Sequence, residues 1–162
     1  MTIAEIMKRM IGYSQGNLHD ISHFLKVWAY AKTMGELEKL DGRTQFILET
    51  AAIVHDIACP LCREKFGNTN GKHQEAEGMV LAAEFLKDTD LPEDVRDRVV
   101  YLVGHHHTFS DISGMDYQLL IEADYLVNAE ESQYPAENIR NFMEHICRTE
   151  TGRSLLQSVY RP

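Results

Sequence analysis

The chain has 162 residues, of which 44% are hydrophobic and 25% charged, and this composition is typical of one globular domain with a single core. Its 16 Lys and Arg residues against 25 Asp and Glu residues give a net charge of −9, which argues against stable binding to nucleic acid. We also expect no membrane span, because no stretch approaches about 20 apolar residues, and no signal peptide, which together predict a cytoplasmic protein.

Apolar residues recur at helical spacing and strand signals are almost absent, which predicts an all-α fold of about six to eight helices in a single domain over residues 1–162. The segment 58–72 is rich in turn-forming residues and is predicted to be a loop. Asp90 and Pro92 mark the expected start of the fifth helix, with Asp90 as its cap. In chain order, the helices are predicted at about 2–13, 20–40, 44–57, 73–86, from 90–92 through His106, and 117–129, followed by one or two weaker helices after Pro135.

The chain has three cysteines, Cys59, Cys62 and Cys147, which are too few for a disulfide framework. Their odd number indicates a reducing compartment. Cys59 and Cys62 have the spacing of a redox motif or of half a zinc site. No second such pair exists and the pattern around them is not βαβ, so an incidental structural role is the favoured interpretation. A redox-sensitive lid over a metal site is the alternative.

Potential metal ligands interrupt the apolar faces of several predicted helices. His23 and His106 continue inward-facing stripes, His55 and Asp56 end the most apolar helix, and Asp124 lies among apolar residues. Each alone is more commonly a hydrogen-bonded core residue. A buried carboxylate costs several kcal/mol unless it meets a partner or a cation, and imidazole with carboxylate suits zinc, iron or manganese. Together these residues predict a metal site inside the helical domain.

The order of these residues resembles the HD-domain superfamily of metal-dependent phosphohydrolases. The segments DISHFLKV at 20–27, AAIVHDIA at 51–58 and LLIEADYL at 119–126 are similar to its opening, signature and closing helices, and the resemblance extends over about residues 17–130. It implies an HD-type helical domain around a metal site. The residues that carry it are His23, His55, Asp56, His73, the run His105, His106 and His107, and Asp124.

This resemblance implies that His23, His55, Asp56 and Asp124 hold a first divalent transition metal: iron, manganese or zinc. A second metal would share the ligand Asp56 with the first, and His73 and one of the clustered histidines would complete its site. Among the clustered histidines His106 is favoured, because it continues the inward face of its helix. His105 or His107 is expected to join it or replace it.

The function that the resemblance implies is hydrolysis of a small phosphate ester or nucleotide through metal-activated hydroxide, and Asp56 and Lys72 are the expected catalytic residues. The small size and the acidic surface suit either a monomer or a homodimer. Lys72 is favoured over Arg63 and Lys65 as the phosphate-binding cation because it lies at a predicted helix N-terminus. The departures Cys59-Pro60 and Thr108-Phe109 from the Gly-Lys and Gly-Tyr-Pro motifs argue against cleavage of cyclic dinucleotides. Two alternatives are an HD-fold di-iron oxygenase and a non-catalytic helical module that binds a metal or a nucleotide.

Overall fold

The computed structural model describes all residues from 1 to 162 and contains nine α-helices and no strands, so the all-α prediction is confirmed. The helices are α1 (Ile3–Tyr13), α2 (Leu18–Leu37), α3 (Gly42–Val54), α4 (Cys59–Phe66), α5 (Gly71–Leu86), α6 (Glu93–Val103), α7 (Met115–Glu131), α8 (Ala136–His145) and α9 (Glu150–Tyr160).

Short polar side chains explain where several of the helices begin. Thr2 and Glu5 form a reciprocal capping box at the start of α1. Asn17, Asp41 and Asn70 accept hydrogen bonds from backbone N–H groups in the first turns of α2, α3 and α5. Each cap satisfies donors that have no partner inside the helix, which fixes these starts locally in the sequence.

Helix α4 lies in the segment 58–72 that was predicted to be a loop, and that part of the prediction is wrong. Pro60 lies in its first turn, where a missing N–H group has no cost, and Gly67 ends it in the left-handed conformation with φ 71°. The turn-forming residues are confined to the short stretch after the helix. Two turns of helix therefore follow the His55-Asp56 pair closely.

The start of α6 also differs from the expectation. The helix begins at Glu93 with Pro92 at the capping position, and no side chain caps it. Asp90 forms an ion pair with the amino group of Met1 and does not cap α6. A carboxylate that was expected to serve its own helix thus contacts the start of α1.

The core brings together the helices α2, α3 and α7. Helices α2 and α7 carry His23 and Asp124, and α3 ends directly before His55 and Asp56. Twelve of the 17 residues of α7 are buried, as are eight of the 13 residues of α3. Helix α7 packs against α2, α3 and α9, while α3 also contacts α1 and α6. Polar side chains on the inner faces of these helices therefore lie close to one another.

One stretch, Gly42–Phe66, is long and apolar enough to pass for a membrane-spanning helix by length and composition. It comprises α3, the following turn and α4, and 72% of its most apolar window is buried inside the fold. A core helix of a helical domain has this composition because its neighbours cover it on all sides.

Candidate metal centre

Four side chains from three parts of the chain converge in the core. His23 comes from α2, His55 and Asp56 from the turn after α3, and Asp124 from α7. His23 Nε2 lies 3.2 Å from Asp56 Oδ2 and 3.2 Å from Asp124 Oδ1, and His55 Nε2 lies 3.3 Å from Asp124 Oδ1. The sequence-based expectation that these four residues lie together agrees with the structure.

Three inward histidines present the same ring nitrogen to this cluster. His55 Nδ1 and His106 Nδ1 each lie 2.8 Å from a backbone carbonyl oxygen three residues earlier, and His23 Nδ1 lies 2.8 Å from a carboxylate oxygen of Glu131. Since these oxygens only accept hydrogen bonds, each Nδ1 carries a proton and donates it. A neutral ring then turns an Nε2 lone pair towards the cluster, which is the form that binds a metal.

The donor atoms fit a cation better than they fit one another. His23 Nε2 and His55 Nε2 lie 3.1 Å apart, and two lone pairs at that distance repel unless a proton or cation lies between them. Two further buried atoms, His106 Nε2 and Asp124 Oδ1, have no hydrogen-bond partner in good geometry. Buried polar atoms are nearly always satisfied, so these orphaned atoms indicate a missing positive partner.

The electrostatics of the cluster point the same way. Burial lowers the pKa of His23, but the nearby carboxylates of Asp124 and Asp56 outweigh it and raise that pKa to about 10. Burial raises the pKa of Asp56 and Asp124, but neighbouring histidines hold both below the ordinary value of a carboxyl. The half-buried Asp56 and the buried Asp124 therefore need positive charge beside them, which a divalent cation would supply.

A second group of ligand atoms shares Asp56 with the first. Ligand atoms of Asp56, His106 and His107 lie within 4.8 Å of one another, as do those of His23, His55 and Asp56. Burial and the neighbouring His106 lower the pKa of His107 to about 4, which keeps its ring neutral. One carboxylate between two histidine groups is the arrangement that a pair of metals would require.

The comparisons with known proteins identify the family. The model of the HD domain matches residues 20–141. The chain belongs to the HD-domain family. Comparison with curated proteins gives no match.

Two solved structures share the HD fold with this chain. A predicted HD superfamily hydrolase from an uncultured Thermotogales bacterium is 22% identical with a TM-score of 0.69, and the alignment covers 98% of this chain and 84% of that one. YpgQ of Bacillus subtilis is 19% identical with a TM-score of 0.62, over 98% of this chain and 88% of that one. At these identities the likeness is one of fold.

Two histidines of the HD pattern lie outside both ligand groups. The ring of His73 stacks on Phe66 with centroids 3.9 Å apart, and its buried Nδ1 has no hydrogen-bond partner. His105 stacks on Tyr101 and its Nδ1 lies 2.7 Å from the carbonyl oxygen of that residue. His107, which the sequence left as an alternative, is the histidine that the structure places beside His106.

The two ligand groups together, here called the HD centre, comprise His23, His55, Asp56, Asp124, His106 and His107. A polar cavity of about 170 Å³ lies beside the HD centre, and only one of its 12 lining residues is hydrophobic. Arg63 is the only Lys or Arg in this lining, and it forms an ion pair with Asp20. Lys72, the expected phosphate-binding cation, is exposed and lies outside the lining. Lys65 pairs with Glu77 on α5.

Glu131 is a feature of the HD centre that the sequence analysis did not identify. Its carboxylate lies behind His23, at the last residue of α7. The available signal was its spacing of seven residues from Asp124, which places both on one face of a helix. A carboxylate at a helix end is so common that the spacing alone does not single it out.

A larger cavity, of about 660 Å³, lies between α1, α2 and α3 and has mainly apolar walls that include Met7 and Trp28. Its buried carboxylate, Glu49, accepts hydrogen bonds of 2.9 Å from Trp28 Nε1 and from Gln45 Nε2. These contacts satisfy Glu49, and the cavity has no histidine. Residues that could hold a metal therefore line the smaller, polar cavity.

Proposed function

We propose that this HD-domain protein is a metal-dependent phosphohydrolase that cleaves a small phosphate ester or a nucleotide. The observation that carries the proposal is a pair of buried potential ligand atoms, His106 Nε2 and Asp124 Oδ1, which have no hydrogen-bond partner. They belong to a cluster that opens on a polar cavity. The description of one structural relative as a predicted HD superfamily hydrolase agrees with it.

The proposed ligands follow from the two groups that share Asp56. His23, His55, Asp56 and Asp124 would hold one iron, manganese or zinc ion, and Asp56, His106 and His107 would hold a second. A divalent cation held there would lower the pKa of a bound water molecule towards about 7 and would polarise a phosphoryl oxygen.

Arg63 is proposed to bind the phosphate, in the role that the sequence analysis gave to Lys72. Its guanidinium lines the cavity and is held by Asp20 on α2. A planar guanidinium donates two parallel hydrogen bonds to phosphate oxygens and so orients the phosphoryl group towards Asp56. In a chain of net charge −9, a fixed local cation also attracts an anionic substrate that the overall charge repels.

The test begins with metal content, measured by mass spectrometry on protein purified without chelator. The parent chain should contain near-stoichiometric iron, manganese or zinc, and it should release phosphate from p-nitrophenyl phosphate or nucleotides after reconstitution. Asp56→Asn keeps the size of the side chain and removes the shared charge, so it should lose metal and at least about 100-fold of the activity. Glu64→Gln changes an exposed carboxyl on α4 and should change neither.

Arg63→Gln separates binding of the phosphate from binding of the metal. We expect an unchanged metal content and a KM raised about tenfold or more, because a charge-assisted pair is lost. Failure of the parent to bind any transition metal after reconstitution would overturn the proposal. Consumption of dioxygen with iron bound and no phosphate release would instead identify the oxygenase alternative, which uses the same ligand types.

A further inference from the structure

The inward histidines differ in the group that holds them from behind. His55 and His106 donate to neutral backbone carbonyl oxygens, whereas His23 donates its Nδ1 proton to the Glu131 carboxylate at 2.8 Å. The Glu131 side chain is 16% exposed and that of His23 is 5% exposed, so the contact is shielded from water. His23 is thus the one histidine of the three with a charged acceptor behind it.

Glu131 is itself fixed on its other side. Its Oε1 lies 2.8 Å from Nζ of Lys26, one turn after His23 on α2, and Lys26 also reaches Glu130 at 3.4 Å. With Oε2 on His23 and Oε1 on Lys26, both oxygens of Glu131 are engaged. Glu131 belongs to neither ligand group, and its direct contact with the centre is the one to His23.

We infer that Glu131 is a positioning residue for the metal centre, an inference that rests on the proposed function. By accepting the Nδ1 proton it sets the tautomer and ring angle of His23 and aims the Nε2 lone pair at the ion. A carboxylate acceptor also makes the imidazole a better donor to the ion than a carbonyl acceptor does, because it polarises the N–H bond more strongly. Lys26 keeps the Glu131 carboxylate from turning towards the ion itself.

Glu131→Gln tests this inference because it keeps the shape of the side chain and removes its charge. Zinc affinity, measured by competition with a chromophoric chelator, should fall about 10–100-fold. The visible absorption bands of Co²⁺ bound in place of zinc should shift in position, since they report the geometry and donor strength of the ligands. A general loss of stability does not produce such a spectral shift.

Glu130→Gln is the matched control. Glu130 is the neighbouring residue on α7, it contacts the same lysine, and its side chain is 67% exposed. Because it does not reach His23 and solvent screens its charge, zinc affinity should stay within about twofold of the parent. If Glu131→Gln folds poorly, Glu131→Ala serves as a second variant with the same expectation. The substitution lies at the last residue of α7, so it leaves the body of the helix unchanged.

The outcomes distinguish this inference from the proposed function. Parent and Glu131→Gln chains with equal affinity and equal Co²⁺ spectra would overturn the inference and leave the metal site intact. An equal loss in Glu130→Gln and Glu131→Gln would show a general charge effect and would also overturn it. A parent chain that binds neither zinc nor Co²⁺ would remove the proposed function and this inference with it.

Discussion

His73 and His107 are the two candidates for the histidine that completes the proposed second metal site. His107 lies within 4.8 Å of the ligand atoms of Asp56 and His106, whereas His73 stacks on Phe66 outside both groups. A ligand must reach the ion with a free ring nitrogen at about 2.0–2.1 Å from zinc, so proximity to Asp56 decides between them. The structure therefore favours His107.

We expect His107→Ala to reduce the metal content from two ions per chain to one. His73→Ala is the matched control, and it should retain two ions because its ring stacks on Phe66 and lies outside both ligand groups. Metal-to-protein ratios after reconstitution and gel filtration measure both. Loss of an ion in His73→Ala with full occupancy in His107→Ala would show that the HD pattern assigned the ligand correctly and that the local geometry misleads.

At this scale the sequence singled out the four side chains that converge in the core. His23, His55, Asp56 and Asp124 could be found because each interrupts an apolar face. The three consecutive histidines could not be ranked fully, because the helical stripe that favoured His106 was extended past the end of its helix. Helix α6 ends at Val103, and the histidines lie in the turn after it, where helical periodicity no longer predicts direction.

At the scale of elements, a buried carboxylate ties α7 to the start of α9. Glu122 is fully buried and accepts hydrogen bonds from Arg148 N at 2.7 Å, from Thr149 N at 3.2 Å and from the Thr149 hydroxyl. A Cβ atom at Gly152 would lie 2.0 Å from Glu122 Oε2, so only glycine permits this approach. The C-terminal helices are thereby anchored to the helix that carries Asp124.

Glu122→Ala should lower the free energy of unfolding by at least about 3 kcal/mol. The change leaves several buried donors without an acceptor, and each costs about 1–3 kcal/mol. Urea denaturation followed by circular dichroism measures the effect. Glu130→Ala, on the exposed face of the same helix, should stay within about 0.5 kcal/mol of the parent. A loss below about 1 kcal/mol in Glu122→Ala would mean that water replaces the carboxylate.

Helix α4 shows why one element could not be predicted. Its sequence has no apolar stripe of several turns, and the glycines and asparagines that follow made the whole segment look like a turn. Tertiary packing decides its state, since Cys59 and Cys62 are both buried. Burial raises the pKa of both thiols, which keeps them protonated and favours a structural role over a redox-sensitive lid.

For the whole molecule, the order of the helices other than α4 followed from the sequence because caps and apolar periodicity are local signals. The way the helices pack did not, since it depends on side chains far apart in the chain. The HD resemblance supplied that part of the prediction. Because the proposed ligands come from α2, α7 and the turns after α3 and α6, the centre exists only in the folded chain, and any metal that binds there would stabilise the whole fold.

The burial of the ligands differs around the centre, and this has a kinetic consequence. The side chains of His23, His55, His106 and Asp124 are at most 7% exposed, whereas that of Asp56 is 21% exposed. The path out of the centre therefore passes Asp56 and the half-buried His107, which both line the polar cavity, and we expect that a chelator as large as EDTA does not reach the ion beforehand. Its release should therefore be first order, with the same rate constant when the EDTA concentration rises tenfold. Stopped-flow loss of the Co²⁺ absorption measures this rate, and a rate proportional to EDTA would show that the chelator attacks the ion in place.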